Sequence, residues 1–215
     1  MKEKPTIITL TGATCSGKTT VMRYLISRHG FTEVLSFTTR QPRFGEVYDK
    51  DYRFVGEQEA RRYIESGQAV EHVSQGGVLY GILKEDFDRA LNTGFAAVIV
   101  NPDGLRPIAA LAAERGAELV SYALNAPAPA LMRRLVARAV ADGPPGLNRH
   151  LDRVNRIFRE ELFWVDEVFK MPELKDVIEI SSGDDISPGE IAEMIAHNAG
   201  ATPRTDAMGE NLIAS

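Results

Sequence analysis

Cysteine is almost absent. Cys15 is the only one in 215 residues, so no intramolecular disulfide can form, as in proteins of a reducing compartment, and a cytoplasmic location is expected. Basic charge is not in excess either. Thirty acidic residues outnumber 25 lysines and arginines, for a net charge of −5. That excludes avid non-specific binding to nucleic acid and leaves the basic residues to act locally on small phosphates. Long apolar runs are missing. Met-Lys-Glu-Lys-Pro leads into a short apolar stretch, too brief for a signal-peptide core, and nothing approaches the ~20 residues of a membrane span. No membrane partner is expected, and the sequence is silent on oligomeric state. There is no internal repeat, no catalytic triad, no metal-ligand cluster and no general base with a clear partner.

What is present alternates between short apolar runs and amphipathic stretches. Thr6 to Leu10, Glu33 to Thr39, Ala69 to Ser74, Phe95 to Val100, Leu119 to Leu124 and Val177 to Ile180 read as strands. Helices are expected from Lys18 to about Gly30, Glu57 to Ser66, Lys84 to Leu91, Leu105 to Arg115, Ala128 to Ala141, Leu151 to Val168 and Pro188 to His197. This order predicts an α/β fold, a parallel sheet with helices on both faces. Residues 36–92 interrupt the rhythm and read as an inserted lobe. The core is then 1–35 and 93–199, with a lid at about 134–153, and 200–215 form a disordered tail.

Gly12-Ala13-Thr14-Cys15-Ser16-Gly17-Lys18-Thr19 fits G-x-x-x-x-G-K-[ST], between an expected strand and an expected helix. The two glycines let the backbone fold around an anion. Successive N–H groups, through Thr20, then meet phosphate at the positive end of a helix. Lys18 is placed for the β- and γ-phosphates of ATP and the Thr19 hydroxyl for Mg²⁺. Cys15 reads as a small filler whose backbone serves the loop. The motif identifies a P-loop nucleotide site and leaves the acceptor open.

Downstream run Ser36-Phe37-Thr38-Thr39-Arg40-Gln41-Pro42-Arg43-Phe44-Gly45-Glu46 and Asp51-Tyr52-Arg53-Phe54. Two arginines three apart, braced by Pro42 and Gly45, make a cationic fork suited to bidentate phosphate binding. The run resembles the guanylate kinase signature in residues and spacing, and the similarity extends over most of residues 6–198. The resemblance implies that Arg40, Arg43, Tyr52 and Tyr80 grip the acceptor phosphate, with Glu46 in the same segment. It implies that Ser36 and Glu71 read guanine. A carboxylate accepting two guanine N–H bonds loses them with adenine, at ~1–3 kcal/mol for an unpaired buried acceptor.

The pattern departs from that family at the base. After Tyr80-Gly81 the family carries Ser or Thr, and this chain has Ile82. At the end of the fourth strand the family places aspartates, and this chain has Ile99 and Asn101, with Asp103 just beyond. Ile82 and Asn101 are also similar to the ribose 1,5-bisphosphate kinases, which lack a base reader. Arg134 and Arg138, four apart on one expected helix, match the family's first two lid arginines. Arg153, seven residues before Glu160, matches the third, with Arg149 as the alternative. Gly143-Pro144-Pro145-Gly146 reads as the lid tip. Lys18 and these arginines are the expected catalytic groups, since phosphoryl transfer needs position and charge rather than a base.

The expectation is therefore an ATP-dependent kinase for GMP or dGMP. The alternatives are a kinase for another phosphorylated acceptor, or a non-catalytic guanylate-kinase-like binding module. The intact Gly17-Lys18-Thr19 argues against the module.

Overall fold

The computed structural model describes residues 4–42, 46–142, 147–172, 174 and 177–201. Five parallel strands form the main sheet, in the order β2-β7-β1-β8-β9. They are β1 (Thr6–Thr11), β2 (Thr32–Glu33), β7 (Phe95–Ile99), β8 (Glu118–Asn125) and β9 (Val177–Ser181). β1 is buried at all six positions. Its alternate residues feed two cores. Ile7 packs with Ala96, Val98, Leu105 and Ile108, while Ile8 and Leu10 pack with Val21, Leu25, Ile191 and Ile195. A strand covered on both faces needs this continuous apolar run.

The helices follow the sequence reading closely. α1 (Lys18–His29) starts at Gly17 and stops at Gly30, and α2 (Glu57–Glu65) and α3 (Lys84–Leu91) lie where expected. α4 (Pro102–Glu114) begins three residues early, because Asn101 caps it and Pro102 sits at the first helical position. α5 (Ala128–Asp142) and α8 (Pro188–Asn198) agree, α8 behind a Ser187–Glu190 capping box.

Two expectations fail. The strand read over Glu33 to Thr39 is two strands in different sheets. Thr32 and Glu33 pair with Ala96 and Ala97, and β3 (Ser36–Thr38) pairs with Tyr80, Gly81 and Ile82. The buried Val34 and Leu35 carry the chain from one sheet to the other. The helix read over Leu151 to Val168 is broken. α6 (Leu147–Arg159) gives way to a 3₁₀ turn, Glu161–Phe163, and then to α7 (Trp164–Phe169). Glu160 leaves helical geometry at φ −131°, and Glu161 turns into the protein at 2% exposure.

A second sheet, ordered β4-β3-β6-β5, comprises β3, β4 (Arg53–Phe54), β5 (Ala69–Gln75) and β6 (Val78–Leu83). β4 and β6 were not anticipated. The proposed lid tip at 143–146 and the tail from 202 onward lie outside the described residues.

Candidate active site

The phosphate loop joins β1 to α1 at the carboxyl edge of the parallel sheet. A side chain at Gly12 would meet the Leu124 carbonyl oxygen at 2.3 Å, so only glycine fits there. Gly17 caps α1 at φ 98°, and Cys15 holds the left-handed region at φ 68° without glycine's freedom. The Lys18 ammonium donates to the carbonyls of Gly12 at 2.7 Å and Ala13 at 2.8 Å. Burial pushes it down to about 8; Arg156 acts in the same direction, and Glu161 and Cys15 oppose it. Thr19 and Thr20 are exposed in the first turn of α1. A cavity of about 360 Å³ opens here, lined by Ser16, Gly17, Lys18, Arg138, Ile186 and Pro188 among others. A larger depression of about 760 Å³, bordered by Arg61, His72 and Ser74, lies between α2 and the β5–β6 hairpin.

Arg134 and Arg138 differ in their surroundings. The Arg134 guanidinium donates to three carbonyls, of Cys15 at 3.2 Å, Ser182 at 2.8 Å and Gly183 at 2.9 Å. It therefore ties the phosphate loop to the turn before α8. Arg138 is exposed and lines the cavity. Arg153 is half-buried on α6, close enough with Arg138 to stabilise a Cys15 thiolate, although burial leaves the thiol above its ordinary value. The side chain of Arg149 lies outside the described residues.

On the second sheet, Arg40 forms a bidentate pair with Glu46 at 2.6 and 2.7 Å. Its guanidinium carbon sits 4.9 Å from the Tyr52 ring centroid, and Tyr52 meets Tyr80 edge-on at 6.2 Å. Among the described residues the buried Arg40 Nε has no hydrogen-bond partner. Arg40, Glu46, Tyr52 and Tyr80 thus form one cluster, and Arg43 lies outside the described residues.

Ser36 and Glu71 both pair with Ile82, from β3 and β5 respectively. Directly opposed residues share a sheet face, so the three make a row. A Cβ on Gly104 would lie 3.3 Å from the Glu71 Oε2, which puts that carboxylate against the first turn of α4. Burial, then Asp103, pushes Glu71 up to about 7. The Asn101 Oδ1 accepts the Gly104 N–H at 3.0 Å, so that oxygen is engaged in the helix cap. The two sheets converge here. β7, which leads into Asn101, runs beside β1, which leads into the phosphate loop, and the Thr11 hydroxyl donates to the Val100 carbonyl at 2.9 Å.

A family model described as "Guanylate kinase" matches residues 2–125, more than half of the chain. The chain belongs to the guanylate kinase family. The guanylate kinase of Chlamydia felis is 34% identical over 98 residues, 45% of this chain and 48% of its own length. That of Geobacter metallireducens is 26% identical over 185 residues, 83% of this chain and 87% of its own. The chain spans about half the length of the first curated relatives it matches. A crystal structure of guanylate kinase from Anaplasma phagocytophilum shares the fold, with a TM-score of 0.60 at 22% identity over 92% of this chain and 85% of the other.

The described motif residues fall into two groups, Arg40, Glu46, Tyr52 and Tyr80 in one and Ser36, Ile82 and Glu71 in the other. Ile82 occupies the middle of the Ser36–Glu71 row with an apolar side chain at 0% exposure, packed into the core with Ile7, Val34 and Phe87. Asn101 serves first as a cap. Glu161 was missed altogether in the sequence. The spacing argument used its neighbour Glu160, which is exposed, whereas Glu161 is the carboxylate that meets the phosphate loop. A Glu-Glu pair inside an apparently continuous amphipathic helix carries no signal of which one turns inward.

Proposed function

We propose that this chain is a guanylate kinase that moves the γ-phosphoryl group of ATP onto GMP or dGMP, giving ADP and GDP or dGDP. One observation carries the reading. The Glu71 carboxylate reaches the first turn of α4, which starts beside the strand that feeds the phosphate loop, so a base read by Glu71 stands next to a loop built for phosphate. In this reading residues 36–92 are the acceptor lobe and residues about 134–153 the lid, on a core of 1–35 and 93–199.

The chemistry follows from these groups. An oxygen of the acceptor phosphate attacks Pγ while the bond to the β,γ-bridging oxygen breaks and ADP leaves. The Gly12–Thr19 amides and the Lys18 ammonium hold the donor phosphates, which replace the carbonyls of Gly12 and Ala13 as partners of Lys18. Arg138 and Arg153 meet the charge that spreads over the equatorial oxygens. Arg40, Arg43, Tyr52 and Tyr80 hold the acceptor phosphate in line. Mg²⁺, where bound, would be held by the Thr19 hydroxyl and would supply charge neutralisation on the donor phosphates. It is a hard cation that prefers oxygen and keeps several waters. Among the described residues no group of three or more His, Cys, Asp or Glu forms a metal cage, and the exposed Thr19 hydroxyl, with phosphate oxygens, is a fitting donor set. The single thiol supports work in a reducing cytoplasm. No helix of the described residues is long and apolar enough to cross a membrane.

The test is ADP formation from Mg-ATP with GMP, dGMP, AMP, dAMP, dTMP, CMP and ribose 1,5-bisphosphate in turn. Preference for GMP or dGMP is expected. Turnover with another acceptor alone overturns the guanine assignment, and turnover with none overturns the kinase.

A further inference from the structure

Glu161 is buried at 2% exposure, yet it is not paired off within its own element. Its carboxylate accepts the backbone N–H of Thr14 through Oε2 and the Thr14 hydroxyl through Oε1, the latter at 3.1 Å. Arg156 donates from its Nε to the same Oε1, and its Nη2 lies 3.5 Å from the Thr14 hydroxyl. Around this polar knot Ala13, Leu131, Leu135 and Ile157 form a small core of their own. The phosphate loop, α5 and α6 therefore meet at one point.

That point adjoins a costly backbone. Cys15, directly after Thr14, sits at φ 68°, a conformation that a residue with a side chain adopts only where its surroundings impose it. A carboxylate that grips the preceding residue by main chain and side chain at once supplies such a constraint.

We propose that Glu161 is the positioning residue of the phosphate loop, and that through Arg156 it links the loop's shape to the arginine-bearing helix α6. It touches no substrate itself. Charge-assisted bonds to backbone N–H groups are among the stronger kinds, and α6 carries both Arg156, which grips Glu161, and Arg153, assigned above to the transferred phosphoryl group. A displacement of α6 is then felt at Thr14, and a loop filled by nucleotide is felt at α6. The catalytic part of this inference rests on the proposed use of ATP.

Two variants test it. Glu161→Gln keeps one acceptor oxygen but puts an amide against Thr14 or Arg156. Thr14→Ala removes the hydroxyl together with the γ-methyl and leaves every charge in place. Steady-state kinetics with ATP and GMP is expected to show the KM for ATP about tenfold higher in Glu161→Gln and severalfold higher in Thr14→Ala, with the KM for GMP unchanged. A role in stability alone lowers the folded fraction, hence the apparent kcat, and moves neither KM; that result, with a lowered Tm, overturns the inference. Alkylation of Cys15 by iodoacetamide supplies a readout that needs no nucleotide. Thr14→Ala is expected to speed it severalfold, because the loop no longer holds the thiol in one setting. If the unaltered protein turns over no ATP, the proposed function fails, and the alkylation rate still decides the clasp: faster labelling supports it and an unchanged rate overturns it.

Discussion

Glu71 and Ile82 face one another across β5 and β6, and Ser36 meets the same Ile82 from β3. The two residues expected to read a purine base are separated by a side chain that offers no hydrogen bond and is fully buried in the core beneath the second sheet. Replacing Ile82 therefore has two consequences. Ile82→Thr places a hydroxyl between Ser36 and Glu71 and is expected to lower the KM for GMP severalfold, at a stability cost of about 1–2 kcal/mol. Ile82→Ser also opens a cavity and should cost about 2–5 kcal/mol. Urea titration beside steady-state kinetics separates the effects. An unchanged KM in a folded Ile82→Thr variant removes this row from base reading.

The acid limb of the reaction should belong to Glu71. Its ordinary value is 4.5, and in the folded protein burial and then Asp103 push it up to about 7. The ionised carboxylate accepts the guanine N–H groups, so kcat/KM for GMP is expected to rise with pH through about 7. Asp103→Asn removes one of the two causes and should move that limb to lower pH. Stability runs the other way. The folded state holds the proton more tightly than the unfolded chain, so stability is withdrawn as pH climbs from 4.5 to 7. Glu71→Gln should be more stable than the unaltered protein above pH 7 and equal to it below pH 4.5, by thermal melts across that range.

Lys18→Ala separates an enzyme from a binding module. Among the described residues the ammonium bonds only to its own loop, at Gly12 and Ala13, so its removal is expected to leave the fold intact and lower kcat by about 10³-fold or more. An unchanged kcat in a folded Lys18→Ala variant would show that Lys18 takes no part in phosphoryl transfer.

Arg134 and Arg138 should part company on mutation. Arg134→Ala leaves three carbonyls without a donor, of Cys15, Ser182 and Gly183, and is expected to cost about 1.5–3 kcal/mol of stability along with a higher KM for ATP. Arg138 is exposed, so Arg138→Ala should change stability by less than about 0.5 kcal/mol and act on kcat. Equal losses of stability in the two would contradict this division.

Local chemistry made much of the molecule legible. The Gly12–Thr19 loop announces itself because its glycines and lysine suit an anion, and Gly12 has no room for another residue. Phe95 to Val100 and Thr6 to Leu10 read as buried strands because both faces are covered. Ser36, Arg40, Tyr52, Glu71 and Tyr80 stood out through the resemblance of their segments to the guanylate kinase signature, and the structure gathers them on or beside one small sheet. Other features depended on partners distant in the chain. Nothing in Thr32 to Thr38 marks where the chain leaves one sheet for the other, because the break is set by pairing with Ala96 and Ala97 on one side and with Tyr80 to Ile82 on the other. Arg134 and Arg138 share a helical spacing, and only the turn before α8 sets one apart as a tether.

The sequence by itself determined the phosphate loop and the alternation of strands and helices, since each rests on bonds and periodicities within a few residues. Tertiary structure alone decided that Ile82 stands between the two base-reading candidates, that the Asn101 oxygen is engaged in a cap, and that Glu161 rather than Glu160 meets Thr14 from 147 residues away. The physical reason is that a carboxylate's role is set by whether it is buried and by which donors surround it, and both are settled only when elements distant in sequence pack together.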